Sequence, residues 1–150
     1  MKRIKTSRLV FRITIPLVAV FGIYSVCQYV RQELAQTESL SNCQDNGIGA
    51  WGDSLAFYAK ENGGRLPNSD QRIRLEEEMR ATSSHFAFTC NQGGGFIWNP
   101  TVTKVSAENA IDAQPVVWCA KPHGVTYKWR NVIFSDLTQR KVPEAQVVNW

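Results

Sequence analysis

Ile13-Thr-Ile-Pro-Leu-Val-Ala-Val-Phe-Gly-Ile-Tyr-Ser-Val-Cys-Gln-Tyr-Val30 lies between Arg12 and Arg31 and carries no charge. As a helix this run rises roughly 27 Å, close to the roughly 30 Å of a bilayer's hydrocarbon core. Ahead of it stand Lys2, Arg3, Lys5, Arg8 and Arg12, with no acid among them. Positive charge before an apolar run keeps that end cytoplasmic and sends the remainder across. The expectation is a single-pass inner-membrane anchor, N-terminus cytoplasmic, with a periplasmic or extracellular head. Pro16 falls near the start of the run, where a missing N–H costs least. Two competing readings are weaker. Ser25-Val26-Cys27 is a poor small-x-small cleavage site, and Tyr24 and Val26 are poor neighbours for a lipidated Cys27.

Beyond Arg31 the pattern turns amphipathic. Leu40, Cys43, Gly47, Trp51, Leu55 and Tyr58 recur at spacings of three and four, one stripe of a helix with period 3.6. The spacing predicts a single long helix from residue 9 to 62. Its outer half would lie on whatever the stripe buries. Gly47, Gly49 and Gly52 each weaken an isolated helix by roughly 1 kcal/mol relative to Ala. They point to close approach of another element, or to a break near Gly47. Asn62-Gly63-Gly64 supplies the stop and Pro67 prevents resumption.

The net charge of +4 is unevenly placed: five of the 17 basic residues precede the apolar run, and the remaining 12 face 13 acids. The basic balance therefore reports membrane orientation. Lys121, Lys128, Arg130, Arg140 and Lys141 come nearest to a nucleic-acid surface, but without the N-terminal five the charge is near neutral, so no nucleic-acid partner is expected. Glu76-Glu77-Glu78 reads as a solvated helical face, because consecutive acids on a helix point apart.

Cys43-Gln-Asp-Asn46 and Leu55-Ala-Phe-Tyr58-Ala-Lys-Glu-Asn62-Gly-Gly64-Arg-Leu-Pro67 resemble the prepilin-like proteins of bacterial type IV pilus and type II secretion systems. Many of these end the anchored helix in a Tyr-Ala-x-x-Asn-x-Gly-x-Leu-Pro pattern. Tyr58, Asn62, Gly64 and Pro67 carry the match. A second, looser likeness is His123 followed by Asn131-Val-Ile-Phe-Ser-Asp136, which is similar to a C-terminal His…Asp-Gly motif of some members. Here Leu137 stands where that motif has Gly. At the front, no Gly precedes the run and no Glu stands within it, so prepilin-peptidase cleavage, N-methylation and ordinary filament assembly are not carried over. The resemblance implies an α+β, pilin-like fold. Residues 1–30 would form the basic tip and membrane anchor, and 31–150 the head, including the outer half of the helix. It implies a pseudopilin-like structural subunit whose partners are the membrane and other pilin-like or secretion-system proteins. The alternative is a tethered binding module that never polymerises.

In the head, Ser69 or Asp70 caps a helix over Gln71–Arg80. Ser84–Cys90, Phe96–Trp98, Val116–Cys119, Val125–Trp129, Asn131–Ser135 and Arg140–Val142 read as strands of a small antiparallel sheet. Asn91–Gly95 is a glycine-rich hairpin connection. It lacks the Lys-Ser/Thr of a phosphate cradle. Cys90 and Cys119 fall in strands of an exported head, so they are the disulfide candidates, with Cys43 as another partner for either. Cys90, Cys119, His123 and Asp136 can be drawn as a zinc site, yet no Cys-x2-Cys pair supports it. A Cys119/His123/Asp136 triad has residue types and no activating context. His123 and Asp136 more plainly fix turns. No catalytic residue, metal or cofactor is expected.

Overall fold

A computed structural model describes residues 5–82, 90, 92–147 and 150. The strand expected over Ser84–Cys90 falls almost wholly on 83–89, outside the described residues. By internal contacts the chain divides into two units, Met1–Ala35 and Gln36–Trp150. Helix α1 runs Lys5–Asn42. In the first unit its described side chains are nearly all exposed, including Val18, Phe21 and Ile23. Among the described residues no helix is long and apolar enough to cross a membrane, which departs from the spanning helix expected above. The uncharged run begins at Ile13, ahead of Val18, the first residue whose exposure is described.

The second unit is α+β. After α1 comes a π-helical segment, Cys43–Ile48, then α2, Gly49–Glu61. Asn42 and Gly49, on either side of the π-segment, keep right-handed helical dihedrals. Widening a turn in this way frees carbonyls from the helical ladder, and buried carbonyls need donors. Two amides from the sheet supply them: Asn131 Nδ2 donates to the Leu40 carbonyl at 3.2 Å and Gln139 Nε2 to the Gln44 carbonyl at 3.2 Å. Gly49 is required here, because a Cβ at that position would overlap the Gln44 carbonyl. The expected alternatives of close approach or a break near Gly47 thus resolve into a π-turn inside a continuous helix.

Helix α2 ends as its sequence predicts. The Gly64 N–H reaches the Ala59 carbonyl at 2.7 Å, and Asn62 Nδ2 reaches the Tyr58 carbonyl at 2.8 Å. The chain then pairs with a later loop through Leu66 N–H to Thr103 O and Val105 N–H to Gly64 O. Helix α3 runs Ser69–Thr82. Its cap is Asn68, one residue earlier than expected. Asn68 Oδ1 accepts from the Gln71 N–H while Gln71 Oε1 accepts from the Asn68 N–H, a reciprocal box that satisfies two orphan donors.

Strands β1 (Phe96–Trp98), β2 (Pro115–Cys119), β3 (Trp129–Phe134) and β4 (Gln139–Pro143) form one antiparallel sheet in sequential order. Val125–Trp129 is not a strand: only Trp129 joins β3. His123 and Trp129 exchange backbone hydrogen bonds of 2.7 and 2.9 Å across a tight loop. Gly124 enters that loop at φ +91°, where a Cβ would overlap the Tyr127 carbonyl. Strand alternation gives the sheet two apolar faces. Ile48, Trp51 and Leu55 of the helix pack with Val117 and Ile133 on one. Trp118, Val132, Phe134 and Val142 line the other, joined by Val147 of the short helix α4 (Glu144–Val147). Trp150 closes that second face, edge-on to Trp118 at 5.6 Å and to Phe134 at 6.0 Å.

Candidate functional site

Four buried side chains from four parts of the chain meet beside the first of these faces. Cys43 begins the π-segment on the buried stripe. Cys90 precedes a turn closed by the Gly93 N–H on its carbonyl at 2.8 Å. Cys119 ends β2, opposite Phe96 of β1. His123 is held by its backbone pairing with Trp129 at the entry to β3. Their three Sγ atoms and a His123 ring nitrogen all lie within 4.8 Å of one another. Cys43 Sγ is 3.2 Å from Cys119 Sγ, and Cys90 Sγ is 3.1 Å from His123 Nε2. Cys119 and His123 are fully shielded from solvent, and Phe96 packs over the sulfurs.

Polar groups around the cluster hold it in place. Arg130 Nη1 donates to the carbonyls of Cys119 and Ala120 at 2.8 and 2.6 Å. Its other nitrogens form a two-pronged pair with the Glu144 carboxylate at 2.5 and 2.7 Å. Glu144 raises the Arg130 pKa, and Arg130 in turn holds Glu144 below the usual carboxylate range.

The thiols polarise one another. The contacts from Cys119 and Cys43, helped by His123, pull the Cys90 thiol down against its burial. Cys119 is pushed up by Cys43, by Cys90 and by burial. At Cys43 the Cys119 contact lowers the pKa, but Cys90 and burial outweigh it and lift the thiol to about 11. Of the three sulfurs, Cys90, beside the imidazole, is the one whose thiolate its neighbours favour most. Such a set can oxidise in pairs or bind a soft metal ion.

The expected residues fall out as follows. No disulfide joins Cys90 to Cys119; both are free thiols, as are Cys43 and the exposed Cys27. Cys90, Cys119 and His123 do come together, but Asp136 is not with them. Asp136 sits in the β3–β4 turn, where Oδ1 accepts from the Thr138 N–H and hydroxyl and Oδ2 pairs with Arg140. The drawn zinc set and the Cys119/His123/Asp136 triad are both corrected on this point, because a carboxylate fixing its own hairpin cannot also face the sulfurs. Leu137, in the place of the motif's Gly, takes φ +62°. Tyr58, Asn62, Gly64 and Pro67 lie at the end of α2 and the segment after it, where they terminate the helix. Cys43 as the fourth member, and the Arg130–Glu144 clamp, went unrecognised in the sequence. The signal for Cys43 was its place on the apolar stripe. No protein-family model, curated protein or solved structure matches the chain.

Proposed function

We propose that the chain is a membrane-tethered, pilin-like structural subunit of a secretion or pilus-like assembly. The observation that carries this reading is the surface of α1. Between Val18 and Val26, six of nine positions are large apolar side chains at least 61% exposed: Val18, Val20, Phe21, Ile23, Tyr24 and Val26. A helix that is apolar all round belongs in a membrane or in the core of an assembly. The five basic residues before it orient such a segment with its N-terminus inside. The helical end and the Asn62–Pro67 terminator, together with the small antiparallel sheet, accord with the resemblance. The work of such a protein is mechanical: one end anchors, and the head presents a surface.

A tethered module that does not polymerise is the second reading, favoured by the lack of a Glu in the apolar run. Photo-crosslinking residues placed at Phe21 and Tyr24 in cells separate the two. Crosslinks between copies, or to other anchored helices, support the subunit. Crosslinks to lipid alone support the lone tether, and crosslinks to soluble proteins alone refute both.

A further inference from the structure

We propose that Cys43, Cys90, Cys119 and His123 bind one zinc ion in a closed structural site. Three sulfurs and an imidazole nitrogen, from positions 43, 90, 119 and 123, converge within 4.8 Å of one another. With Zn–S bonds of about 2.3 Å and Zn–N of about 2.0–2.1 Å, a tetrahedral centre sets its donors roughly 3.5 to 3.8 Å apart. To seat the ion, the 3.2 Å sulfur pair and the 3.1 Å sulfur–imidazole contact open by about half an ångström, while the widest pair, no more than 4.8 Å apart, closes by up to about 1 Å.

The composition of the cluster argues against its simpler uses. One disulfide consumes two of the sulfurs and strands the third against His123. Pure packing would not call for a fully buried imidazole whose Nε2 faces sulfur. Three thiolates with an imidazole suit zinc rather than calcium or magnesium, which take oxygen donors. All four coordination positions are filled by protein, so no place remains for a reacting water, and the site is structural. Asp136, bonded to its own turn, is not needed.

Binding balances simply. Three thiols lose three protons to solvent, and the His123 Nε2 lone pair completes the tetrahedron while Nδ1 keeps its hydrogen. The bound site carries a net charge of −1. The Arg130 guanidinium, on the carbonyls of Cys119 and Ala120, lies beside that charge. One ion then ties the π-segment, the loop before β1, the end of β2 and the loop before β3. In a head this small, metal affinity becomes folding free energy. The inference is independent of the tether, because a soluble chain would hold the same four ligands.

The test uses the full chain, purified in detergent under reducing conditions with zinc in the growth medium. Elemental analysis should find one zinc per chain. Cys27→Ser should keep it, whereas Cys43→Ser, Cys90→Ser and His123→Ala should lower zinc affinity at least tenfold. Those variants could lose zinc merely by misfolding, so the unaltered chain gives a second readout. Exchange with cobalt should yield the thiolate charge-transfer band and strong visible bands of a tetrahedral site. Alkylation should label Cys27 alone until a chelator exposes the other three together. Zinc below a tenth of an equivalent, with no cobalt spectrum, overturns the proposal. So does zinc that leaves with Cys27→Ser, or a metal-free protein bearing a disulfide among Cys43, Cys90 and Cys119.

Discussion

Gly49 and Gly52 lie three residues apart in α2, and changing each to Ala should move stability in opposite directions. Helix propensity alone favours Ala over Gly by roughly 1 kcal/mol at both sites. At Gly52 the added Cβ would meet Ile133 Cδ1 at 3.7 Å, an ordinary contact, so Gly52→Ala should gain up to about 1 kcal/mol. At Gly49 the Cβ would collide with the Gln44 carbonyl, which also accepts from Gln139 Nε2. Relief requires closing the π-turn, which shifts the register of the helix against the sheet. Overpacking of this kind costs typically about 1–3 kcal/mol. After the propensity gain, the net expectation for Gly49→Ala is a loss of up to about 2 kcal/mol, which for a unit of this size lowers Tm by up to roughly 10 °C. Urea unfolding of the full chain, followed by tryptophan fluorescence, reads both variants, since Trp51 and Trp98 pack edge to face across the core at 4.9 Å. If Gly49→Ala is as stable as Gly52→Ala, the π-segment does not have the geometry described.

Three further outcomes follow from particular contacts. Leu55 is fully buried against the sheet, so Leu55→Ala should cost about 2–5 kcal/mol in the same urea experiment. The Glu144 pKa is depressed first by its hydrogen bond from Arg130, so the stability it contributes is present above its unfolded pKa of about 4.3 and fades as pH falls through the folded value. Glu144→Gln should cost about 1–3 kcal/mol at neutral pH and flatten that acid limb, as stability measured between neutral and acid pH would record. Val20→Arg places a charge in the apolar run at about 2.5–3.5 kcal/mol of insertion free energy, and should shift protein from the membrane to the soluble fraction on sedimentation.

Much of the second unit could be read in advance because period and punctuation are local. Leu40, Cys43, Trp51 and Leu55 are buried as their spacing requires, and Asn62-Gly63-Gly64 stops the helix where it should. The errors came where a neighbour outbid local preference. Asn68 displaced Ser69 as cap because Gln71 returns its hydrogen bond. Val125–Tyr127 lost strand form because the His123–Trp129 pair and Gly124 close a loop there. The cysteine–histidine cluster was the least legible feature. Its members stand 76 residues apart at the widest contact, and only tertiary packing brings the helix's Cys43 to the sheet's Cys119. Strand neighbourhood favours pairing Cys90 with Cys119 and leaves Cys43 as another partner for either, but nothing in the spacing brings all three sulfurs and His123 to one point.

The proposed tether is the apolar half of α1. Alkaline carbonate extraction of membranes from the native host, with mass spectrometry of the mature N-terminus, addresses it directly. The tether predicts that protein retaining Ile13–Val30 stays in the membrane pellet while its head is digested by protease added from outside. Recovery of that same intact chain in the carbonate supernatant would contradict it.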